Sequence, residues 1–365
     1  MSNEKVEKIQ SILDKQGLDA IAIVPGSNFL YITGGNFHLM ERPTILIFSK
    51  TTKPIGIMPV LELDSFAKLD IDADVFEWQD SDGYQSAFDK ALKKIGPVSK
   101  IGVEGQRMRV FEMQAIHKAS QGIEIINAQK EISGIRLLKS NDEIDYLRKA
   151  IEISENSLNK TLEFVEVGKT EIEIKNYLIQ QLYNFGAEDI AFDPIVLASD
   201  NSGLPHGHSR NDYKVKEGDC LLFDFGATVR GYNSDMTRTF FIGSASDEFK
   251  KIYEAVLKAN LEGINSSKPG ISLHEVDDNV LNSLAGSGYE DLIVHKTGHG
   301  LGLDVHEDPY VMRKNYDLLE AGMVITIEPG LYKKDSLGIR IEDDVLITKD
   351  GNEVLTSFPK ELKLL

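Results

Sequence analysis

Short apolar runs alternate with amphipathic segments along the first third of the chain. Apolar side chains recur at helical spacing over residues 3–16, and Gly17 follows as a stop signal. β-rich runs follow at 20–24, 45–48, 55–58, 74–78, 100–103 and 123–126, and helical patterns lie near 61–69, 84–95 and 109–119. Strands that alternate with helices are typical of an α/β domain, which we expect to cover residues 1–130.

The next part of the chain begins with two helices and a hairpin. Capping boxes at Ser140 and Thr170 predict the first turns of both helices. A β-rich strand over 220–228 then turns into a second strand over 234–241. This order predicts a compact unit of helix, helix and hairpin.

The same order then occurs a second time. One helix is predicted to begin at Asp247 and another after Ser272, which caps it. Strands over 323–328 and 338–347 are expected to form another hairpin. The repetition predicts a duplicated, pseudo-symmetric α+β domain over residues 136–365.

Charge is distributed unevenly between these two parts. The 365 residues carry 40 Lys+Arg and 58 Asp+Glu, a net charge of −18, and residues 136–365 hold 25 of the basic and 40 of the acidic side chains. A balance this acidic disfavours a general role in binding nucleic acids or anionic membranes. Most of the excess is expected to be solvated surface.

Cysteine content and hydropathy restrict the compartment. Cys220 is the only cysteine and lies in the apolar run CLLFDFGA, so an intrachain disulfide is excluded and a buried structural role is expected. The N-terminal segment lacks the apolar core of a signal peptide, and no apolar run approaches the roughly 20 residues needed to cross a bilayer. We therefore expect a soluble, cytoplasmic protein.

Each predicted hairpin interrupts apolar strands with a pair of carboxylates. Asp224 and Asp235 are eleven residues apart on strands joined by one turn, and Glu328 and Glu342 are fourteen apart across the second hairpin. Carboxylates are rarely buried unless a cation compensates them. Two matching pairs therefore favour metal binding over the alternative of isolated residues at a sheet edge.

A loop dense in glycine, HKTGHGLGLDVHEDP, adds His299 and His306 as candidates. Taken alone, either histidine is more often an ordinary polar residue than a ligand. Four oxygen ligands and one imidazole suit manganese, cobalt or another hard divalent ion. That ligand number favours two ions about 3.5–4 Å apart, which lower the pKa of a water molecule and polarise a carbonyl, so hydrolysis is the predicted chemistry.

Other motifs that could carry chemistry are incomplete. The glycines around His299 do not form GxGxxG, and no matching strand-to-helix turn surrounds them. An HExxH motif starting at His306 fails because Tyr310 stands in its last position, and neither GxSxG nor a P-loop occurs. These absences disfavour dinucleotide binding, an HExxH zinc peptidase and a serine hydrolase.

Five motifs together resemble the creatinase/aminopeptidase P/prolidase family of proline-specific metallopeptidases. They are LPHG at 204–207, DFGATVRGYNSDMTRT at 224–239, TGHGLGLDVHE at 297–307, EPGLY at 328–332 and GIRIED at 338–343. The resemblance covers nearly the whole chain, including the junction RLLKS at 136–140. It implies an N-terminal α/β creatinase-like domain and a C-terminal catalytic domain with the pita-bread fold.

The resemblance also implies a ligand set. Five residues of this chain resemble the family's five ligands of two divalent metal ions: Asp224, Asp235, His299, Glu328 and Glu342. Asp235 and Glu342 resemble the bridging pair. Manganese is the expected metal, with cobalt or zinc as alternatives.

Further residues take catalytic and binding roles by the same resemblance. His206 and His306 resemble two histidines that contact the substrate and the tetrahedral intermediate, and Glu328 would carry a proton to the leaving nitrogen. Arg340 is expected among the substrate-binding residues. It lies two residues before Glu342 on the same strand face, where it can orient that carboxylate.

The implied reaction is hydrolysis of Xaa-Pro bonds at the N-termini of small peptides, by a homodimer. An Xaa-Pro bond carries no N–H and its proline has a fixed φ, so peptidases that bind an extended backbone are badly suited to it. Methionine aminopeptidases generally lack the large N-terminal domain, and creatinase lacks the full metal set. Pita-bread proteins that have lost catalysis and act as binding modules remain the alternative of a different class.

The length of the substrate is the open question. Some prolidases carry an arginine directly after HExP that grips the carboxylate of a dipeptide, and Tyr310 stands there in this chain. Conversely, FHLMERP at 37–43 resembles a loop that reaches the partner's active site in some prolidases, so His38, Glu41 or Arg42 could restrict substrate size. We expect an Xaa-Pro dipeptidase, with an Xaa-Pro aminopeptidase acting on longer peptides as the alternative.

Overall fold

The chain forms two compact units that divide between Arg136 and Leu137. The structure, a computed structural model, describes residues 3–69 and 71–365. The sequence places the end of the first domain at residue 130 and the start of the second at residue 136. Each unit has its own hydrophobic core.

The first unit is an α/β domain built on a six-stranded mixed sheet. Its strands are β1 (Ala20–Ile23), β2 (Ile45–Ser49), β3 (Ile55–Pro59), β4 (Asp74–Trp78), β5 (Lys100–Val103) and β6 (Glu124–Asn127), in the order β4-β3-β2-β1-β5-β6. Its helices are α1 (Asn3–Lys15), α2 (Ser27–Thr33), α3 (Leu63–Phe66), α4 (Gln85–Ile95), α5 (Val110–Ala119) and α6 (Gln129–Ser133). The predicted alternation of strands and helices is confirmed, although the helix expected over 61–69 is shorter.

The centre of this sheet is apolar on both faces. Every residue of β1, β2 and β3 is buried. The strands therefore appear in the sequence as continuous apolar runs rather than as alternating patterns. Phe88 on α4 and Ile116 on α5 belong to the same hydrophobic cluster as these strands.

The second unit contains the predicted duplication of helix, helix and hairpin. Its helices are α7 (Asn141–Leu162), α8 (Glu171–Asn184), α9 (Asp247–Ser266) and α10 (Leu273–Ala285). Ser140 and Thr170 each form the complete capping box that the sequence predicts, and the Ser272 side chain accepts a hydrogen bond from the backbone N–H of Glu275. The expected α+β architecture is confirmed.

Short strands form four sheets in this unit. They are β7 (Asp189–Ile190), β8 (Ile195–Ala198), β9 (Cys220–Phe225), β10 (Ala227–Val229), β11 (Tyr232–Asn233), β12 (Met236–Phe241), β13 (Gly298–Gly300), β14 (Glu307–Val311), β15 (Val324–Ile327), β16 (Gly330–Lys333), β17 (Leu337–Arg340), β18 (Asp343–Ile347) and β19 (Asn352–Val354). The sheet orders are β11-β10-β7, β12-β9-β8, β14-β13-β15-β18-β19 and β16-β17. Cys220 is buried on β9, as predicted.

The two hairpins are interrupted where the sequence predicts continuous strands. In the first, β9 pairs with β12, and β10 pairs with β11 beyond a break at Gly226. In the second, β15 pairs with β18, whereas β16 pairs with β17 in a separate sheet. The predicted single strands over 220–228 and 338–347 are therefore wrong.

Local chemistry accounts for both interruptions. A Cβ atom at Gly226 would lie 1.8 Å from the carbonyl oxygen of Ser234, so only glycine allows the two chain segments to approach so closely. Pro329 has no N–H group with which to continue a β ladder beyond Glu328. Both breaks lie beside predicted metal-binding carboxylates.

No helix within residues 3–69 and 71–365 is long and apolar enough to cross a membrane.

Candidate active site

The first hairpin places two carboxylates beside its break. Asp224 lies on β9 opposite Thr237 of β12, and Asp235 lies between β11 and β12. Asp235 is only 3% exposed, and its backbone N–H donates to the Asp344 carboxylate at 3.2 Å. The hairpin thus fixes both acids next to each other, inside a largely apolar part of the unit.

The second hairpin contributes Glu328 and Glu342 in the same manner. Glu328 follows β15 and Glu342 precedes β18, so each lies in a gap between paired strands. The backbone N–H of Glu342 donates to the carbonyl oxygen of Thr237 at 3.1 Å, and the Thr237 hydroxyl donates to the Glu342 carboxylate at 2.7 Å. These bonds join the second hairpin directly to the first.

His299 completes the cluster from β13. A Cβ atom at Gly298 would lie 2.0 Å from the carbonyl oxygen of Thr326, so glycine is required for β13 to approach its neighbour. The Nε2 atom of His299 lies 3.4 Å from Glu328 and 3.7 Å from Asp235, and Nδ1 lies 3.1 Å from the carbonyl oxygen of Gly300.

The protonation of His299 suits a ligand. Burial lowers its pKa to about 3, so the ring is neutral at pH 7. Donation from Nδ1 to the Gly300 carbonyl leaves the lone pair of Nε2 directed at the carboxylates. A neutral imidazole in this tautomer is the form that binds metals.

The five predicted ligand residues lie together. Three overlapping groups bring their ligand atoms within 4.8 Å of one another: Asp224, Asp235 and Glu342; His299, Glu328 and Glu342; and Asp235, His299 and His306. Oδ1 of Asp224 and Oδ1 of Asp235 are both buried without a hydrogen-bond partner. Buried polar atoms without partners are rare, so the cluster fits a site for hard divalent cations.

The carboxylates also destabilise one another's ionised forms. Burial raises the pKa of Asp235 and of Glu342 well above the usual range, and neighbouring carboxylates raise both further. Burial raises the pKa of Glu328 to about 8, although Arg340 and Lys296 oppose the shift. A bound cation would reverse this repulsion, because it favours the charged forms.

Arg340 is the buried cation of the site, and its contacts extend the sequence prediction. It donates to the Asp224 carboxylate, to the Thr237 hydroxyl at 3.0 Å and to the Tyr332 hydroxyl at 2.6 Å. Its connection to Glu342 therefore runs through Thr237, whereas its direct carboxylate contact is Asp224. All three contacts orient groups around the cluster, and a direct role in substrate binding stays a prediction.

Sequence reasoning missed three residues that support the cluster. Thr237 and Tyr332 lie within the matching motifs, and the nitrogen Nε2 of His295 lies 2.9 Å from the Tyr332 hydroxyl. Nδ1 of His295 donates to the carbonyl oxygen of Lys296, so Nε2 accepts from the Tyr332 hydroxyl, which itself accepts from Arg340. Thr237 stands two residues after Asp235, which is a weak signal that both face the same side of one strand.

A cavity of about 1010 Å³ opens onto the acidic cluster. His206 and His306 line it and are exposed, and the ring centroid of His306 lies 4.0 Å from that of His299. The apolar part of the wall is formed by Phe192, Ile195, Leu204, Val294 and Val305. His38 belongs to the first unit, where it is exposed.

Paired carboxylates and a neutral histidine at the end of a duplicated pita-bread fold define a metal-dependent hydrolase. Residues 145–349 match the model of metallopeptidase family M24, and residues 5–138 match that of the creatinase/prolidase N-terminal domain. The chain belongs to this metallopeptidase family, as the sequence resemblance predicts.

Individual relatives align over nearly the full length. An uncharacterized peptidase from Staphylococcus epidermidis is 33% identical over 98% of this chain and 99% of its own. The structure of a prolidase from Thermococcus sibiricus superposes with a TM-score of 0.94 at 33% identity, covering all of both chains. That of an X-Pro aminopeptidase from Thermotoga maritima superposes with a TM-score of 0.86 at 31% identity, covering 99% of each chain.

Proposed function

We propose that this protein hydrolyses Xaa-Pro bonds at the N-termini of small peptides and prefers dipeptides. The observation that carries the proposal is the group of three buried carboxylates and the half-buried Glu328 beside a neutral His299, open to a partly apolar cavity. The similarity to a prolidase and to an X-Pro aminopeptidase supports the specificity for proline. The alternative is an Xaa-Pro aminopeptidase that acts on longer peptides.

We assign two divalent ions, manganese first and cobalt or zinc as alternatives, to the predicted ligands. These are Asp224, Asp235, His299, Glu328 and Glu342. When bound, two such ions polarise a scissile carbonyl and lower the pKa of a water molecule. Arg340 and Thr237 hold Asp224 and Glu342 in place, so the site needs little rearrangement to accept cations.

Glu328 is the proposed proton carrier. Its carboxylate lines the cavity 3.4 Å from Nε2 of His299, where it can accept a proton from a water molecule and return it to the substrate. The leaving group is the proline nitrogen, which has no hydrogen of its own while the bond is intact and must receive one. Glu328 would deliver that proton from inside the cavity.

His206 and His306 are proposed to stabilise the developing charge on the carbonyl oxygen. Both line the cavity, and burial lowers the pKa of His306, so its ring is neutral at pH 7. A neutral ring still carries one N–H donor. His306→Ala and His206→Ala should each lower kcat more than they change KM, because the bond they donate is strongest in the transition state.

Two measurements test the function and the substrate length. We expect about two divalent ions per subunit by atomic absorption, with hydrolysis of Ala-Pro that chelators abolish and manganese restores. Activity with less than one ion per subunit would contradict the mechanism, and tight folding without metal or turnover would support a binding module. Efficient cleavage of Ala-Pro-Ala relative to Ala-Pro would overturn the preference for dipeptides.

The loop at 37–43 is proposed to limit substrate size from a partner subunit, which requires a homodimer. Within the first unit, Arg42 is bound to Asp80 at 2.8 Å and Trp78 donates to the carbonyl oxygen of Pro43 at 3.2 Å, while His38 is exposed. Mixing His38→Ala with Asp235→Ala subunits tests this proposal. If the loop acts on the partner's site, the functional site of a mixed dimer faces a wild-type His38, so the mixture should cleave Ala-Pro-Ala less efficiently, relative to Ala-Pro, than His38→Ala alone.

A further inference from the structure

Two basic side chains line the cavity, and their surroundings differ. Arg340 is buried and its donors are committed to Asp224, Thr237 and Tyr332. Lys296 lines the same cavity and is half-buried. Among residues 3–69 and 71–365, no carboxylate oxygen lies within 4.0 Å of its Nζ atom, which instead stands over the Tyr310 ring.

An aromatic ring holds the ammonium group in position. Nζ of Lys296 lies 4.0 Å from the centroid of the Tyr310 ring. Tyr310 is on β14, which pairs with the strand that Lys296 precedes, in the register Gly298 opposite Val311. The Tyr310 carbonyl also accepts a hydrogen bond from the Asn315 amide at 2.7 Å. Two paired strands therefore fix where this cation stands.

A cation–π contact orients a lysine but does not neutralise its charge. Burial lowers the pKa of Lys296, and the nearby Glu328 opposes this shift. The ammonium group has thus lost part of its hydration without gaining a carboxylate partner. An anion that enters the cavity can complete its hydrogen bonding.

We propose that Lys296 binds the C-terminal carboxylate of an Xaa-Pro dipeptide and thereby selects dipeptides over longer peptides. This inference rests on the proposed function, since the carboxylate belongs to the proline released by that reaction. A dipeptide with an apolar first residue carries one anionic group, the carboxylate of its proline, which an ammonium group without a carboxylate partner can bind. In a longer peptide the same position holds a neutral amide, which gains much less from an ammonium group.

The assignment also explains the absence of an arginine after HExP. Tyr310 occupies that position, and its ring contacts the ammonium group of Lys296, which precedes the neighbouring strand β13. Lys296 would act as a specificity-determining residue and would not take part in bond cleavage.

The test compares Lys296→Met with the wild-type enzyme on Ala-Pro and Ala-Pro-Ala. We expect the variant to lose about 10- to 100-fold in kcat/KM for Ala-Pro, mainly through a higher KM, with little change for Ala-Pro-Ala. Lys296→Arg should retain most of the preference. Lys216→Met is the matched control, because Lys216 also stands over a tyrosine ring, 5.0 Å from the centroid of Tyr213, but outside the cavity.

Product binding separates this proposal from the proposed function. Calorimetric titration of the manganese-loaded protein with L-proline should show at least about tenfold weaker binding to Lys296→Met, whereas L-prolinamide should bind both proteins alike. Equal or undetectable binding of proline to both proteins would overturn the role of Lys296. Failure of the wild-type protein to cleave any Xaa-Pro peptide would instead overturn the proposed function. An equal loss on both peptides would also contradict selection by Lys296.

Discussion

Glu342 and Asp343 are adjacent buried carboxylates whose surroundings are opposite. Asp343 is bound by Arg238 at 2.7 Å and by Lys360, so its pKa is lowered although burial alone would raise it. Burial raises the pKa of Glu342 well above the usual range, and Glu328 and Asp224 raise it further. One residue along the same chain thus separates a compensated acid from an uncompensated one.

The difference shows where the chain provides its own cations and where it does not. Around Asp343, two cations of the protein offset one carboxylate. Around Glu342, four carboxylates face Arg340, which is hydrogen-bonded to Asp224, and Lys296, which forms no direct carboxylate contact. Since a buried unpaired charge is strongly destabilising, the second cluster is suited to cations from solution. The comparison therefore distinguishes a structural ion pair from a metal site.

The largest expected effect is loss of activity when the uncompensated cluster is broken. Asp235→Ala should lower turnover by more than about 100-fold, since even the groups that only orient metal ligands contribute 10–100-fold. The free energy of unfolding without metal should not decrease, because one repelling carboxylate is removed. Asp278→Ala, which removes an exposed partner of Arg313, is the control. Activity close to wild type would contradict the assignment.

Breaking the compensated cluster should damage stability instead. Arg238→Met removes the more deeply buried of the two cations that bind Asp343, and we expect the free energy of unfolding to fall by about 3–5 kcal/mol. Urea denaturation measures this change. The double variant Arg238→Met/Asp343→Leu should recover part of the loss, because it removes the buried carboxylate together with its buried cation, while Lys360 is partly exposed and keeps its hydrogen bond to Asn260. A double variant less stable than the single one would argue against charge as the cause.

The dependence of stability on pH should separate the two clusters. Glu328 has a pKa of about 8 in the folded protein against an ordinary value of 4.5. Its protonation therefore stabilises the folded protein without metal, fully below about pH 4.5, and this contribution is lost as the pH rises through 8. Each pKa unit corresponds to about 1.4 kcal/mol, so we expect a loss of about 2–4 kcal/mol.

Thermal unfolding between pH 5 and pH 8, in chelator and in manganese, measures this effect. The loss should appear in chelator and disappear in manganese. Asp343 has a lowered pKa, so its contribution is present above its ordinary value of 3.8 and is lost only at lower pH. The same slope with and without metal would contradict the link between the raised pKa values and cation binding.

The smallest expected effect concerns the Tyr332 hydroxyl, whose hydrogen bonds are to Arg340 and His295 and not to a proposed metal ligand. Tyr332→Phe removes the hydroxyl that accepts from Arg340 and contacts His295, and we expect about a tenfold loss in manganese affinity. Tyr253→Phe is the control, since its hydroxyl donates to the carbonyl oxygen of Lys360 away from the cavity. Equal effects of both substitutions would indicate general destabilisation.

Most elements of the fold could be predicted from the sequence, and their interruptions could not. Capping residues and apolar periodicity located α7 and α8 because these signals are local. The breaks at Gly226 and beside Pro329 depend on what lies opposite in space, such as the carbonyl oxygen of Ser234. An apolar pattern with period two continues through such a break, so the pattern alone predicts longer strands.

The spacing of acids within apolar strands was enough to predict which carboxylates lie together. Asp224 with Asp235, and Glu328 with Glu342, are placed side by side by any hairpin that joins their strands. The motifs around them determined the family, which the comparison of both domains confirmed. The spacing of the acids and the family motifs both lie within short segments of the chain, so they can be recognised without the tertiary structure.

Only the tertiary structure decided which charges compensate each other. Arg238, Asp343 and Lys360 are distant in the sequence, and their pairing depends on how the C-terminal segment returns to β12 and β18. The connection of Arg340 to Glu342 through Thr237, and the position of Lys296 over Tyr310, also join separate strands. Charge compensation acts over a few ångströms in space, so no local pattern along the chain determines it.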